Sequence, residues 1–357
     1  MDQYLLYICQ NALGDIITSL PSIHFLKKNF THVDVLLNEQ FSDLLAFDPH
    51  FDSIISFQSE WFNSFPDDTA NDPKKDQIRS LTKSYDVIVD SLCSSSTTEL
   101  IRLLNPPIAI GIEFGDELYA YNRKVSIDRW QSWSDGSRNA SDCFADLTRA
   151  YCLDYIATQP RLYISADAVI WAQSWLREQG IHARNRLVAL NPGAGNVAKC
   201  WPFERYLELA DYLKSKQCTV IFLFGPKETG LFQSHGTSVA QTGAHAIHFS
   251  NSLIQKTAGL LRQCSLAISN DCAVMHIAAA IECPTLAIFG PSNSKIWFPY
   301  DRKKNCVVER NVTCRQYCTK GCDDPVCLTK ISVSDVATVA LRLLHTPILP
   351  TASTAMF

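Results

Sequence analysis

Short apolar runs alternate with amphipathic stretches along the whole chain, and the alternation predicts strands and helices in turn. Tyr4–Cys9 is the first apolar run, of the length and character of a strand buried on both faces. Through Gln10-Asn11-Ala12-Leu13-Gly14-Asp15 it leads into a segment where Ile16, Leu20, Ile23 and Leu26 recur at helical spacing before Lys27-Lys28. Val33–Leu37, Ser53–Phe57, Tyr85–Val89 (ending at Asp90) and Ile108–Ile112 read as further strands. Helices are expected after Ser94–Thr98, through Leu100–Leu104, and over Ala145–Tyr151. Two polar stretches, Ser59–Lys75 and Trp130–Ser141, interrupt the series, the first an exposed excursion.

The pattern then restarts. Ala166–Gln179 reads as a helix closed by Gly180, and Leu187–Leu190 as a strand feeding the loop NPGAGNVAKCW. A helix follows from Pro202, expected at its first position. Cys218–Phe224, Ala246–Phe249 and Thr285–Phe289 are strands, Thr257–Gln263 and Val333–Leu344 helices. Strands alternating with helices, with no hairpin signal dominating, argue for parallel, doubly wound α/β sheets. At 357 residues two such domains are expected, with a cleft between them. We divide the chain into 1–170, 171–330 and a terminal helix and tail, 331–357, folding back toward the first domain. The hinge lies somewhere between Ala157 and Arg186.

Composition narrows the class. A formal net charge of −4 gives no electrostatic footprint for nucleic acid. No apolar run reaches membrane-spanning length, and MDQYLLYICQ lacks the basic start of a secretion signal. A cytoplasmic protein with mostly reduced thiols is the expectation for its 14 cysteines.

The candidate chemistry gathers at loops after strands, where open α/β sheets place ligands. Around Ile268–Ser292, Asp271 is expected to cap a helix whose free amides, beside the small Cys272 and Ala273, suit a phosphate. His276, one turn on, faces that anion or turns away from it. Gly193-Ala194-Gly195 matches a dinucleotide fingerprint in form, but the next strand ends Leu223-Phe224-Gly225 without the ribose-binding acid at its tip, so an NAD site is rejected. A diphosphate loop fits better, with open amides at Gly193 and Gly195 and a mobile charge on Lys199. Asp15 either caps its helix or aims a carboxylate into the cleft.

In order along the chain, Asn11–Asp15 with Pro21 and Leu26-Lys27, NPGAGNVAKCWP, LFGPKE and SNDCAVMHIAAAIECPTLAIFGPS resemble the bacterial heptosyltransferases of glycosyltransferase family 9. The resemblance implies a GT-B fold of two Rossmann-like domains and inverting transfer of heptose from ADP-heptose, without a catalytic metal or other cofactor. It makes Asp15 the general base and Lys199 the stabiliser of departing ADP. Gly193, Ala194, Glu228, Asn270, Asp271, Cys272, Ala273 and His276 would bind the nucleotide sugar, Glu228 at the ribose. The acceptor implied is a lipopolysaccharide inner-core saccharide, met at the inner membrane by peripheral contact. Two positions depart from the family: Cys272-Ala273 replaces a hydroxyl residue and glycine, and Ser94–Ser96 stands where a basic residue often meets acidic core sugar. Arg102, Arg123 and Lys124 are the candidates to compensate. Another nucleotide sugar, a protein hydroxyl as acceptor, and a binding protein without turnover are the alternatives.

Cys314, Cys318, Cys322 and Cys327 form a last cluster, whose spacing is not the C-x₂-C pattern of zinc sites. A structural metal, disulfides and free thiols all stay open there.

Overall fold

The computed structural model describes residues 3–63, 81, 84–113, 117–126, 137–182, 186–249, 253–299, 301–314, 318, 322 and 324–345. Two six-stranded parallel sheets carry the fold. The first contains β1 (Tyr4–Ile8), β2 (His32–Asn38), β3 (Ser53–Phe57), β4 (Val87–Asp90), β5 (Ile108–Ile112) and β6 (Arg123–Val125), ordered β3-β2-β1-β4-β5-β6. The second contains β7 (Arg186–Asn191), β8 (Cys218–Phe224), β9 (His245–His248), β10 (Leu266–Asn270), β11 (Thr285–Phe289) and β12 (Asn305–Glu309), ordered β12-β11-β10-β7-β8-β9. Each half therefore repeats the same doubly wound order, with the order reversing beside its first strand. Leu5, Leu6, Tyr7 and Ile8 are all fully buried, as are Val188 and Leu190. Both faces of the central strands are covered, which is why these runs read as continuous apolar segments. Each such side chain contributes roughly 1.5–3 kcal/mol on burial.

The helices used below are α1 (Leu13–Leu26), α2 (Ser95–Leu104), α3 (Ala140–Arg149), α4 (Ala166–Glu178), α5 (Phe203–Ser215), α6 (Thr229–Gln241), α7 (Ile254–Leu261), α8 (Ala273–Ala280) and α9 (Val333–His345). Ser94 caps α2 in a reciprocal box with Thr97, so two of the serines expected near an acceptor are helix-end residues. Pro202 is the cap of α5 and not its first residue. The excursion expected from Ser59 begins as a helical turn, Ser59–Asn63, that buries Trp61 and Phe62; residues 64–80 lie outside the described residues.

Helix α4 packs on α7 of the second domain, where Gly259 lets the Ala168 carbonyl approach to where a Cβ would stand 2.4 Å away. Helix α9 does not cross to the first domain. Its apolar face, Val336, Ala337, Ala340 and Leu343, packs with Trp201, Leu209 and Leu286 of the second domain. Residues 346–357 are outside the described residues.

The halves meet through α1 and α8, whose residues share one core cluster. Hydrogen bonds tie the seam: Leu162 N donates to Ala280 O (3.0 Å), Asn139 Nδ2 to Phe298 O (2.9 Å) and Gln255 N to Asp43 Oδ2 (2.9 Å).

Candidate active site

A cavity of about 790 Å³ opens between the sheets at the carboxyl ends of their strands. Its first-domain wall is the β1–α1 loop, Asn11 to Asp15, with Gln40 and Phe41 after β2. The second-domain wall comes from loops after β7, β8 and β10, with Gly193–Asn196, Lys199, Gly225–Glu228, Asp271–Val274 and His276. Parallel register brings these loops to one level: Ile8 lies opposite Asp90, and Ser269 opposite Asn191. A concave site at both switch points is what this topology offers a ligand.

Asp15 sits inside the first turn of α1, not at its cap, which is Ala12. Among the described residues no group hydrogen-bonds its carboxylate. Burial raises its pKa to about 6, with Lys199 pulling down and Asp271 pushing up. A carboxylate poised near neutrality, within a cavity and free of partners, can take a proton.

Lys199 and Asp271 meet across 72 residues of sequence: Nζ donates to Oδ2 at 2.7 Å, and Ser292 Oγ donates to the same oxygen. The expected helix cap at Asp271 is therefore replaced. Cys272 holds the cap position of α8, its thiol beside the Val274 and Met275 amides, and this end of α8 opens on the cavity at Cys272, Ala273 and Val274. The Cys272 thiol points back to the sheet, 3.1 Å from Asn191 Oδ1 and 3.2 Å from Ser269 Oγ.

His276 faces the cavity. Its ring lies over Gly14, where a Cβ would stand 2.9 Å from His276 Cδ2. Burial drives its pKa down to about 4, against Asp271 and with Lys199, so it is neutral at pH 7 and offers a hydrogen bond instead of a charge. Glu228 accepts from Gly225 N at 2.9 Å and covers Gly193, whose Cβ would stand 2.3 Å from Glu228 Cδ. Burial raises the Glu228 pKa. Glycine is required at Gly193 by this close approach, not by a positive φ.

Asn270 is tied into the framework of the site. It is fully buried; Nδ2 donates to Pro192 O (2.8 Å) and Gly193 O (3.2 Å), and Oδ1 accepts from Trp201 N and Tyr206 OH, both at 3.0 Å. Its amide has no capacity left for a ligand; it shapes the Gly193 loop. The acceptor candidates lie outside this cavity. Arg102 is exposed and paired to Glu99, Arg123 donates to Ala150 O (3.1 Å) beside Tyr151, and Lys124 lies on the edge strand β6; none lines the cavity. Sequence spacing does not reveal that these faces turn outward.

The sequence profile of Glycosyltransferase family 9 (heptosyltransferase) matches residues 76–325. The chain belongs to this family. It is accordingly a glycosyltransferase, and its two sheets form the GT-B fold. Lipopolysaccharide heptosyltransferase 3 of Escherichia coli is 24% identical over 292 residues, covering 80% of this chain and 83% of that protein. Among solved structures, a glycosyl transferase family 9 protein from Veillonella parvula DSM 2008 superposes with a TM-score of 0.78 at 20% identity, covering 96% and 97% of the two chains. The E. coli ADP-heptose lps heptosyltransferase II gives 0.76 at 19% identity, covering 96% and 98%.

The four cysteines lie near one another as free thiols: Cys318 is hydrogen-bonded to Cys322 and interacts with Cys314 and Cys327, with Cys327 buried and Cys314 exposed. Among the described residues the four sulfurs do not reach the mutual spacing of one ion's ligands; His24, Asp48 and His50, which sequence reasoning passed over, do. No helix among the described residues is long and apolar enough to cross a membrane.

Proposed function

We propose that this chain moves a heptose from an ADP-heptose-type donor to a hydroxyl of a lipopolysaccharide inner-core acceptor, with inversion and with Asp15 as general base. The acceptor oxygen attacks the anomeric carbon as the bond to ADP breaks on the opposite face. Asp15 takes the hydroxyl proton. The charge appearing on ADP meets Lys199 and the amide end of α8. Glu228 accepts from the ribose hydroxyls, and no step is routed through a metal or other cofactor. The observation that carries the reading is the unpaired Asp15 carboxylate facing Lys199 and Asp271 across one cavity. Family membership and the name of the E. coli relative support heptose and lipopolysaccharide as donor sugar and acceptor. The lipid-linked acceptor would bring the chain to the inner face of the inner membrane by peripheral contact.

The test is ADP release from ADP-heptose with and without a truncated lipopolysaccharide acceptor. Acceptor-dependent release supports the reading; release from another nucleotide sugar alone, or none, removes it. A second reading, a less acidic acceptor such as a neutral saccharide or protein hydroxyl, is favoured by one observation. Beyond Asp15, the described residues of the first-domain wall are uncharged, Asn11, Gln40 and Phe41 among them.

A further inference from the structure

Away from the cavity, the last turn of α1 and the loop before β3 bring together two imidazoles and a carboxylate. His24 Nε2 lies 2.7 Å from Asp48 Oδ2, and His50 Nδ1 lies 2.9 Å from Asp48 Oδ1. The two rings stack at 4.1 Å with 23° between their planes, so both nitrogens address the same carboxylate from one side. Asp48 is almost fully buried, its side chain 1% exposed, whereas His24 and His50 keep 14% and 29%. The loop is held in shape locally: Asp48 N donates to Leu45 O (3.0 Å), and His50 N to Asp48 Oδ1 (3.0 Å). Tyr163, from the segment joining the domains, packs on both rings at 5.9 and 5.5 Å.

We infer that His24, Asp48 and His50 form a binding site for a divalent transition-metal ion. One ligand atom from each residue lies within 4.8 Å of the others. Tetrahedral ligands on bonds of about 2.0 Å stand about 3.3 Å apart, so side-chain adjustment alone closes the set. Two nitrogens and one carboxylate oxygen suit Zn²⁺, Co²⁺ or Ni²⁺ and not Mg²⁺ or Ca²⁺, which take oxygen. Three protein ligands leave a position for water, on the exposed His50 side. On binding, each imidazole presents the lone pair of its Asp48-facing nitrogen, any proton there passing to the other ring nitrogen or to solvent, while Asp48 exchanges two hydrogen bonds for a metal bond. Such an ion would also staple the end of α1, whose other end carries Asp15, beside the interdomain segment at Tyr163.

The test uses the full chain under reducing conditions, freed of metal by a chelator and titrated with Co²⁺. Cobalt held by the cysteines shows sulfur-to-metal charge transfer; cobalt on nitrogen and carboxylate shows only ligand-field bands. Wild type is expected to hold one equivalent more than the His24→Ala/His50→Ala variant, with no sulfur band in the difference spectrum. Equal stoichiometry overturns the site. Should the double variant not fold, His50→Gln is expected to weaken the nitrogen-site affinity at least tenfold, and unchanged affinity overturns it. Neither readout depends on transfer activity, so this inference and the assigned reaction fail separately.

Discussion

The Lys199 ammonium and the Asp271 carboxylate meet at 2.7 Å over the amide end of α8, with Asp271 nearly buried and Lys199 about one third exposed. In the proposed reaction Lys199 faces the donor diphosphate, its charge partly neutralised by Asp271 until an anion competes for it. Removing it takes away a cation aimed at charge that develops only on bond breaking. Lys199→Ala is expected to lower kcat/KM by about 10²–10³, in line with loss of one oxyanion-stabilising group. Steady-state kinetics with ADP-heptose checks this, and an unchanged value takes Lys199 out of the reaction.

Asp15 must be deprotonated to accept a proton, so activity should rise with pH through about 6 and level off above it. Asp271 raises that pKa and Lys199 lowers it. Asp271→Asn should therefore move the rising limb to lower pH, and Lys199→Met to higher pH. A pH profile of kcat/KM for the three proteins reads the signs directly; movement in the opposite sense breaks the electrostatic account.

Asp15→Asn keeps the shape and deletes the base. Transfer should fall by about 10²–10⁴ while ADP affinity changes little. Calorimetry of ADP binding beside the transfer assay separates the two, and a large loss of affinity would relocate Asp15 to the donor.

Two glycines test close packing at the site. Gly14→Ala puts a Cβ 2.9 Å from His276 Cδ2, and Gly193→Ala puts one 2.3 Å from Glu228 Cδ. The first should displace a neutral imidazole from the cavity. The second should weaken nucleotide binding by moving the Glu228 carboxylate, and Glu228→Ala should reproduce that loss. Competition binding of ADP measures both; wild-type affinity in Gly193→Ala contradicts the ribose assignment.

Asn270→Ala leaves Pro192 O, Gly193 O, Trp201 N and Tyr206 OH without their buried partner. At about 1–3 kcal/mol for each buried group left unpaired, moderated by relaxation, a loss of about 3 kcal/mol is expected. Chemical denaturation measures it. A stable variant that binds ADP poorly would return Asn270 to the ligand.

What the chain's local pattern determined is broad. Apolar runs such as Cys218–Phe224 and Thr285–Phe289 are strands over those same bounds because buried parallel strands need apolar residues on both faces. The loops carrying Asp15, Gly193 and Asp271 follow their strands, so the doubly wound plan places them at the cavity. Short polar strands were less visible: β6, Arg-Lys-Val, and β12, Asn-Cys-Val-Val-Glu, carry no clear alternation. Through-space pairing belonged to the tertiary structure alone. Asp271 looks like a helix cap until a lysine 72 residues away claims it, and Asn270 looks like a ligand contact until Trp201 and Tyr206 close on it. Arg102 turns outward, and α9 stays on its own sheet, because docking of preformed faces decides which residues meet. Periodicity and turn chemistry are encoded between neighbours; the meeting of His24 with Asp48 and His50, or of Lys199 with Asp271, follows only from the register of strands and the seating of one domain on the other.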